Sequence, residues 1–139
     1  MSKSEALLVS IRNFYSVAEN SQYLIDVLEK RNGISLRNLE WFITNYSKQK
    51  NTTYTSKSGK QFTVHCAYKS SLGGYSKKLF DPFCRTSKFD FEVPNTDGGT
   101  VIKTTVAQLN FIRWCIINNI IDYMIKNKDT LSSTKKLHI

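Results

Sequence analysis

The sequence predicts an α+β domain with amino-terminal helices, a small antiparallel sheet in the middle and a long buried helix near the carboxyl end. Three observations lead to this class. Apolar residues recur at three- and four-residue spacing before residue 47, β-branched and aromatic residues alternate between residues 52 and 103, and an apolar run occupies residues 109–125. A chain of 139 residues fits one domain, which we expect over residues 1–127.

Two helical stripes come first. Their apolar positions are Leu7, Leu8, Ile11, Phe14, Tyr15, Ala18, Leu24, Val27 and Leu28. The spacing puts each set on one face of a helix, and it leaves open whether the two sets belong to one continuous helix. Gly33 stands where a left-handed helix end is favoured.

Ser35 predicts the start of a further helix, because its hydroxyl can accept a hydrogen bond from an amide of the first turn. The apolar face of this helix comprises Leu36, Leu39, Trp41, Phe42, Ile43 and Tyr46. The breadth of that face indicates burial.

Two strands are predicted after residue 51, at residues 52–55 and 61–68, with a turn at residues 56–60. In the second strand a period of two places Phe62, Val64, Cys66 and Tyr68 on one face. Residues 70–74 contain two serines and two glycines, which favours a loop.

A third strand is predicted at residues 89–93, and residues 100–103 can supply a fourth. Thr105 and Gln108 match the capping box, in which a hydroxyl and a carboxamide bond exposed amides at a helix start. The apolar run that follows predicts a buried helix of about five turns. Because Arg113 and Asp122 interrupt this run, we do not expect it to span a membrane.

The apolar pattern ends at Asn127, so residues 128–139 are expected to form a flexible basic tail. Three cysteines, an odd number, argue against a disulfide framework and for a reducing compartment. We therefore expect an intracellular protein with free thiols.

The net charge of +9 is concentrated in the central third of the chain. Residues 1–46 hold five basic and five acidic groups, residues 47–88 hold nine basic groups and one acid, and residues 89–139 hold six against five. Residues 47–88, here called the central segment, also contain six aromatic residues. Basic and aromatic residues are therefore interleaved there.

Clustered cations neutralise phosphates and exposed aromatic rings stack on bases, while basic faces also dock on acidic proteins. The candidate binding residues are Lys48, Lys50, Lys57, Lys60, Lys69, Tyr75, Lys77, Lys78, Phe80, Phe83, Arg85 and Lys88. The alternative is that the aromatic residues form the core and the lysines form a solvated face.

The sequence contains few residues that could form a catalytic or metal site, with two histidines and three cysteines. We therefore predict that the protein is not an enzyme and binds no metal or cofactor. His65, Cys66 and Cys84 would make three metal ligands only with a fourth from elsewhere in the chain. Cys84 is the more reactive thiol candidate because Arg85 beside it favours the thiolate. The alternative is a hydrolase site in which His65 is the base and the thiol of Cys84 or Cys115 is the nucleophile.

Two short motifs have non-catalytic interpretations. Residues 57–60, Lys-Ser-Gly-Lys, lack the first glycine of a phosphate loop and predict a hairpin turn. Asp90 and Glu92 share a strand face, as in metal-dependent nucleases, but no lysine completes that pattern. A solvated strand face is favoured.

Three stretches carry a resemblance to a known family: ISLRNLEWFITNYS at residues 34–47, YSKKLFDPFCR at residues 75–85 and TTVAQLNFIRW at residues 104–114. They resemble a short uncharacterised protein family of large nucleocytoplasmic DNA viruses of algae and amoebae. The likeness covers about residues 34–125 and carries no catalytic motif. It implies a viral context, in which small basic proteins without enzyme motifs are often minor capsid or core components.

Together these observations predict a non-enzymatic virion structural protein, a minor capsid or assembly component that docks through the central segment. Its partners would be capsid or other virion proteins. The alternative is a sequence-nonspecific nucleic-acid-binding protein whose partner is DNA or RNA. Self-association into a homo-oligomer is left open, and the expected location is the virion and, during assembly, the host cytoplasm.

Overall fold

The computed structural model describes residues 2–96 and 98–137, with side chains up to residue 132. Its elements confirm the predicted α+β class, with helices at both ends of the chain. In chain order they are α1 (Lys3–Tyr15), α2 (Ala18–Leu28), α3 (Leu36–Trp41), a π-helical turn (Phe42–Tyr46), α4 (Ser47–Lys50), β1 (Thr53–Thr55), β2 (Gln61–Thr63), α5 (Val64–Tyr75), α6 (Lys77–Phe80), β3 (Phe89–Glu92), β4 (Val101–Thr104), α7 (Val106–Ile117), α8 (Ile120–Lys126) and α9 (Lys128–Leu137).

The two amino-terminal stripes form separate helices, because the chain leaves helical geometry at Val17. The helix α1 packs on α7, where the buried hydroxyl of Tyr15 donates to the carbonyl oxygen of Leu109 at 2.8 Å. Gly33 is left-handed as predicted, at φ 73°, although α2 already ends at Leu28. The hydrogen bond of Tyr15 ties the start of the chain to the helix that runs through the core.

The helix predicted after Ser35 is present and begins with a full capping box. The Ser35 hydroxyl accepts the Asn38 amide at 3.1 Å, and Asn38 Oδ1 accepts the Ser35 amide at 2.9 Å. The helix passes through the π-helical turn into α4 and ends at Asn51, whose φ is 49°. A π-helical turn holds an additional residue, which the apolar pattern did not reveal.

The predicted hairpin is confirmed for its first strand and its turn. The strands β1 and β2 are antiparallel, with Thr53 opposite Thr63, and Gly59 in the turn adopts φ 86°. The second strand ends at Thr63, because residues 64–75 form α5. The predicted strand over residues 64–68 and the predicted loop over residues 70–74 are therefore wrong.

The helix α5 forms because its buried residues are spaced for a helix. Val64 and Tyr68 are buried, whereas Cys66, which the strand prediction placed on the same face, is exposed. From the helix, the ring of Tyr68 reaches Phe80 and Trp114, at centroid distances of 5.8 and 6.3 Å. These core contacts outweigh the preference of Val and Tyr for strands.

The third and fourth predicted strands pair as β3 and β4, with Phe91 opposite Ile102. Phe91 and Val93 are buried and Asp90 and Glu92 are exposed, as the alternation predicted. In the described residues, β1–β2 and β3–β4 are two separate two-stranded sheets. The single small sheet of the sequence prediction is corrected in this respect.

The helix α7 runs through the core, and seven of its 12 residues are buried. The Thr105 hydroxyl caps it by accepting the Gln108 amide at 3.1 Å, as predicted. The Gln108 side chain does not complete the box, since it accepts the Thr104 hydroxyl at 2.8 Å and donates to the Pro82 carbonyl at 3.1 Å. The buried apolar residues of α7 are Ala107, Leu109, Phe111, Ile112 and Cys115.

The predicted long helix is divided in two at Asn118 and Asn119. Asn119 has a φ of 58°, a left-handed conformation that asparagine tolerates better than most residues. The Asn118 amide side chain donates to the Trp114 carbonyl at 2.9 Å and so satisfies one of the last acceptors of α7. The chain then restarts as α8.

The segment expected to form a tail is helical over its described part, as α9. Leu131 is 6% exposed, and Lys128 Nζ donates to the Asn32 carbonyl at 2.7 Å. The loss of apolar periodicity after Asn127 was therefore not the end of regular structure, while the flexibility of this segment stays a prediction. None of the described helices combines the length and apolar character needed to cross a bilayer.

Candidate polyanion-binding surface

All nine basic residues of the central segment are exposed. They are Lys48, Lys50, Lys57, Lys60, Lys69, Lys77, Lys78, Arg85 and Lys88. Across the described part of the chain, no carboxylate lies within 4.0 Å of any of their charged groups, and none of these side chains makes a hydrogen bond. Among the residues that the structure describes, these charges therefore have no direct ionic or hydrogen-bonding partner.

Basic residues outside the central segment more often have partners. Arg31 pairs with Glu29 at 2.5 Å, and Lys103 pairs with Asp90 at 3.7 Å. The Arg113 guanidinium, 9% exposed, donates to Ser10 Oγ at 2.8 Å and to Asn110 Oδ1 at 3.0 Å. These three basic side chains form intramolecular ion pairs or hydrogen bonds, whereas those of the central segment form none among the described residues.

Most aromatic rings of the central segment belong to the core. Phe80 is 0% exposed and lies 5.5 Å from Trp114 and 5.7 Å from Phe111, between ring centroids. The prediction that Phe80 is a binding residue at the surface is therefore wrong, because its side chain is buried. Tyr75 is half-buried, with its ring stacked on that of Phe80 at 5.6 Å. The sequence left open that the aromatic residues of the central segment form the core. Five of the six rings are buried or half-buried against the core, as in that alternative.

Phe83 is the exception, at 39% exposure. Its amide donates to Asp81 Oδ1 at 2.9 Å, which engages the one carboxylate of the central segment. The Arg37 Cζ lies 4.9 Å from the centroid of the Phe83 ring, a cation–π contact. Sequence reasoning missed Arg37, because it lies 46 positions before Phe83 in a part of the chain with no net charge.

His65, Cys66 and Cys84 do not gather into a metal site. Cys66 is exposed, Cys84 is half-buried, and no group of three His, Cys, Asp or Glu residues within the described ranges is placed to hold a metal ion. Burial and the positive charges of Lys48 and Lys69 lower the pKa of His65. This imidazole is therefore neutral at neutral pH. His138 lies outside the described residues.

The other residues considered for chemistry have structural roles. Residues 57–60 are the β1–β2 turn, closed by the Ser56 amide donating to the Lys60 carbonyl at 2.8 Å. Asp90 and Glu92 lie on an exposed strand face. Burial raises the pKa of the Cys115 thiol well above its ordinary value, which favours the unreactive thiol form.

A polar groove that the sequence did not indicate lies beside the hairpin turn. It consists of two cavities of about 300 and 240 Å³ that share Lys57, Asn119 and Asp122. The Tyr23 hydroxyl donates to Asp122 Oδ1 at 2.6 Å, and this bond is the main reason that the pKa of Tyr23 is raised to about 12. The lining carries charges of both signs, which favours no single class of ligand.

Residues 1–138 match the profile of a family of unknown function, DUF7197. The chain belongs to this family. It is 40% identical over 147 aligned positions to an uncharacterized protein, L507, of Acanthamoeba polyphaga mimivirus, an alignment covering 96% of this chain and 56% of the relative. The chain thus spans about half the length of that relative. No solved structure gives a significant match.

The family match extends beyond residues 34–125, where the sequence resemblance was seen, and includes both ends of the chain. A relative in a virus of amoebae is consistent with the viral context that the resemblance implied. The relative is uncharacterized, so membership assigns no role to any residue.

Proposed function

We propose that this protein binds nucleic acid without sequence specificity, through the exposed cations of the central segment. The observation that carries the proposal is that nine exposed basic groups have no carboxylate partner within the described ranges. Each phosphate that such a group contacts releases condensed counterions, which is the main source of nonspecific affinity. We further propose that the protein is not an enzyme.

The kind of cation supports binding to the backbone rather than to bases. Eight of the nine groups are lysines, and Arg85 is the one arginine. A lysine ammonium is a compact point charge, whereas recognition of guanine edges favours the planar fork of arginine. Because five of the six rings of the central segment are buried or half-buried against the core, base stacking would contribute little beyond Phe83.

Burial of the same rings weakens the argument for docking on a protein. Protein interfaces depend on exposed aromatic and apolar anchors, and residues 79–83, Leu-Phe-Asp-Pro-Phe, place apolar side chains between the cations of the central segment. Within that stretch Phe80 and Pro82 are buried, and Phe83 alone is classed as exposed. For this reason we rank nucleic acid first, the reverse of the order that the sequence suggested.

A virion structural role, as a minor capsid or assembly component, is the second candidate. The viral relative supports it. The corresponding partners are capsid or other virion proteins, and the corresponding location is the virion, with the host cytoplasm during assembly. Disrupting virions in salt tests this candidate: a structural component remains with the capsid shell, whereas a nucleic-acid-binding protein follows the genome fraction.

The first proposal is tested by fluorescence anisotropy of a labelled single strand, measured over a series of salt concentrations. We expect log K to fall linearly with log salt, with a slope of about −0.7 for each phosphate contact. The double variant Lys77→Glu, Lys78→Glu should reduce the magnitude of that slope by about 1.4 if both lysines contact phosphates. The matched control is Lys3→Glu with Arg12→Glu, which changes the net charge equally at two exposed positions of α1.

The control separates a local surface from a general effect of net charge. If both double variants lose the same affinity, the central segment is not the binding surface. If the native protein causes no change in anisotropy at low salt, the proposal is wrong.

A further inference from the structure

The β1–β2 hairpin returns the chain to the start of α4. The Thr52 amide donates to the Ser47 carbonyl at 3.1 Å, and the Val64 amide donates to the Thr52 carbonyl, also at 3.1 Å. Two consecutive backbone hydrogen bonds therefore hold residue 47, at the start of α4, close to residue 64, at the start of α5. The residues that follow them in sequence are Lys48 and His65.

Lys69 joins these two residues from α5. It lies four positions after His65, the spacing that places two side chains on the same face of a helix. Lys48 and Lys69 are exposed and His65 is half-buried. We call Lys48, His65 and Lys69 the α4–α5 cluster.

The charges on the helices that carry this cluster are positive, whereas the carboxylates of Asp81 and Glu40 lie within electrostatic reach of Tyr68 on α5. Every charged side chain on α5 and on the elements packed most closely against it is a lysine. These residues are Lys48 and Lys50 on α4, Lys69 on α5, and Lys77 and Lys78 on α6. The other titratable groups there are Cys66, Tyr68 and Tyr75 on α5 and Tyr46 on the π-helical turn.

We infer that the α4–α5 cluster is the phosphate-binding anchor of the basic surface, and that His65 makes the binding of nucleic acid stronger in mild acid. This inference rests on the proposed function. Two ammonium groups beside a half-buried imidazole offer a phosphodiester several donors from one side, and the imidazole adds a full charge when it is protonated.

The sign of the pH effect follows from linkage. In the free protein, burial and the charges of Lys48 and Lys69 disfavour the imidazolium and lower the pKa of His65. A bound phosphodiester places one negative charge beside the imidazole, which favours the imidazolium and offsets part of the repulsion from the two lysines, so it raises that pKa. Affinity therefore increases as pH falls through the pKa of the complex. A rise of one unit corresponds to about tenfold tighter binding by the protonated form.

The experiment follows the imidazole signals of the full chain by NMR during a pH titration, with and without an unlabelled single-stranded oligonucleotide. The sequence has two histidines, so the variant His138→Gln leaves one imidazole and assigns it. We expect the oligonucleotide to shift the His65 signals and raise the pKa of this residue. We also expect the affinity for the oligonucleotide to increase as the pH is lowered from about 7 to about 5.5, and we expect the variant His65→Gln to lose that increase.

A pair of double variants with the same loss of charge locates the anchor. Lys48→Gln with Lys69→Gln should weaken binding more than Lys57→Gln with Lys60→Gln in the hairpin turn, and should remove the shift of His65. If the oligonucleotide binds but the His65 signals do not move, the inference is overturned and the proposed function stands. If the oligonucleotide does not bind at any salt concentration, both are overturned.

Discussion

Replacing Phe80 by alanine is the sharpest test of how the central segment is built. The sequence placed Phe80 at the surface, whereas the structure buries it completely among the rings of Tyr68, Tyr75, Phe111 and Trp114, at centroid distances of 5.5 to 5.8 Å. Removing a buried phenyl ring and leaving a cavity costs about 3–5 kcal/mol. That is a large part of the stability of about 5–15 kcal/mol that a domain commonly has.

Phe83→Ala is the matched control, three positions away. Its ring is 39% exposed and contacts Arg37, so the loss of partial burial and of an exposed cation–π contact should cost about 1–2 kcal/mol. Urea unfolding gives both values, with far-UV circular dichroism and the fluorescence of the two tryptophans, of which Trp114 lies beside Phe80. If Phe80→Ala does not fold, Phe80→Leu is compared with Phe83→Leu instead, and the substitution at Phe80 should cost more, about 1–3 kcal/mol. Equal losses for the substitutions at Phe80 and Phe83 would refute the assignment of Phe80 to the core.

Three further outcomes are expected. Thr105→Ala should lower the free energy of unfolding by about 1 kcal/mol, because the first turn of α7 loses its cap, and Thr105→Ser should retain most of it in the same urea assay. The pKa of Tyr23 is raised from its ordinary value of 10.0 to about 12 by its bond to Asp122. The stabilisation by that bond should be complete below about pH 10 and lost as pH rises to about 12, and Tyr23→Phe should make stability fall less steeply over this interval. In alkylation followed by mass spectrometry, the exposed Cys66 should react in the native protein and the buried Cys115 only after unfolding.

Local patterns predicted those elements whose own sequence decides their structure. Ser35 and Thr105 were correctly identified as helix caps, since a cap depends on residues within one turn. The alternation at residues 89–93 was sufficient for β3, because one face of that hairpin is buried and the other is exposed.

The errors arose where distant residues decide. Val64 and Tyr68 favour strands by composition, and their helix is stabilised by rings that come from α6 and α7. The division at Asn119 involves neither proline nor glycine, so no strong breaker marks it in the sequence.

The candidate surface was only half predictable from sequence. Charge density was sufficient to predict that its lysines are exposed, because ammonium groups remain in water wherever the chain folds. Whether an aromatic residue lies inside or outside depends on the packing of elements far apart in sequence, and so Phe80 was misplaced. Arg37 was missed for the same reason, since its place beside Phe83 exists only after folding.

The π-helical turn at Phe42–Tyr46 determines the direction in which the lysines of α4 project. Each residue of an α-helix advances the next by about 100° around the axis, so one additional residue changes the angular position of all that follow. Deleting one residue from this turn would carry Lys48 and Lys50 about 100° around the helix axis while Phe42 stays in the core. The number of residues in the π-helical turn thus determines the direction of Lys48 and Lys50, although the turn itself contains no charged residue. A deletion of one residue there would change the direction of these two lysines and leave both in the sequence.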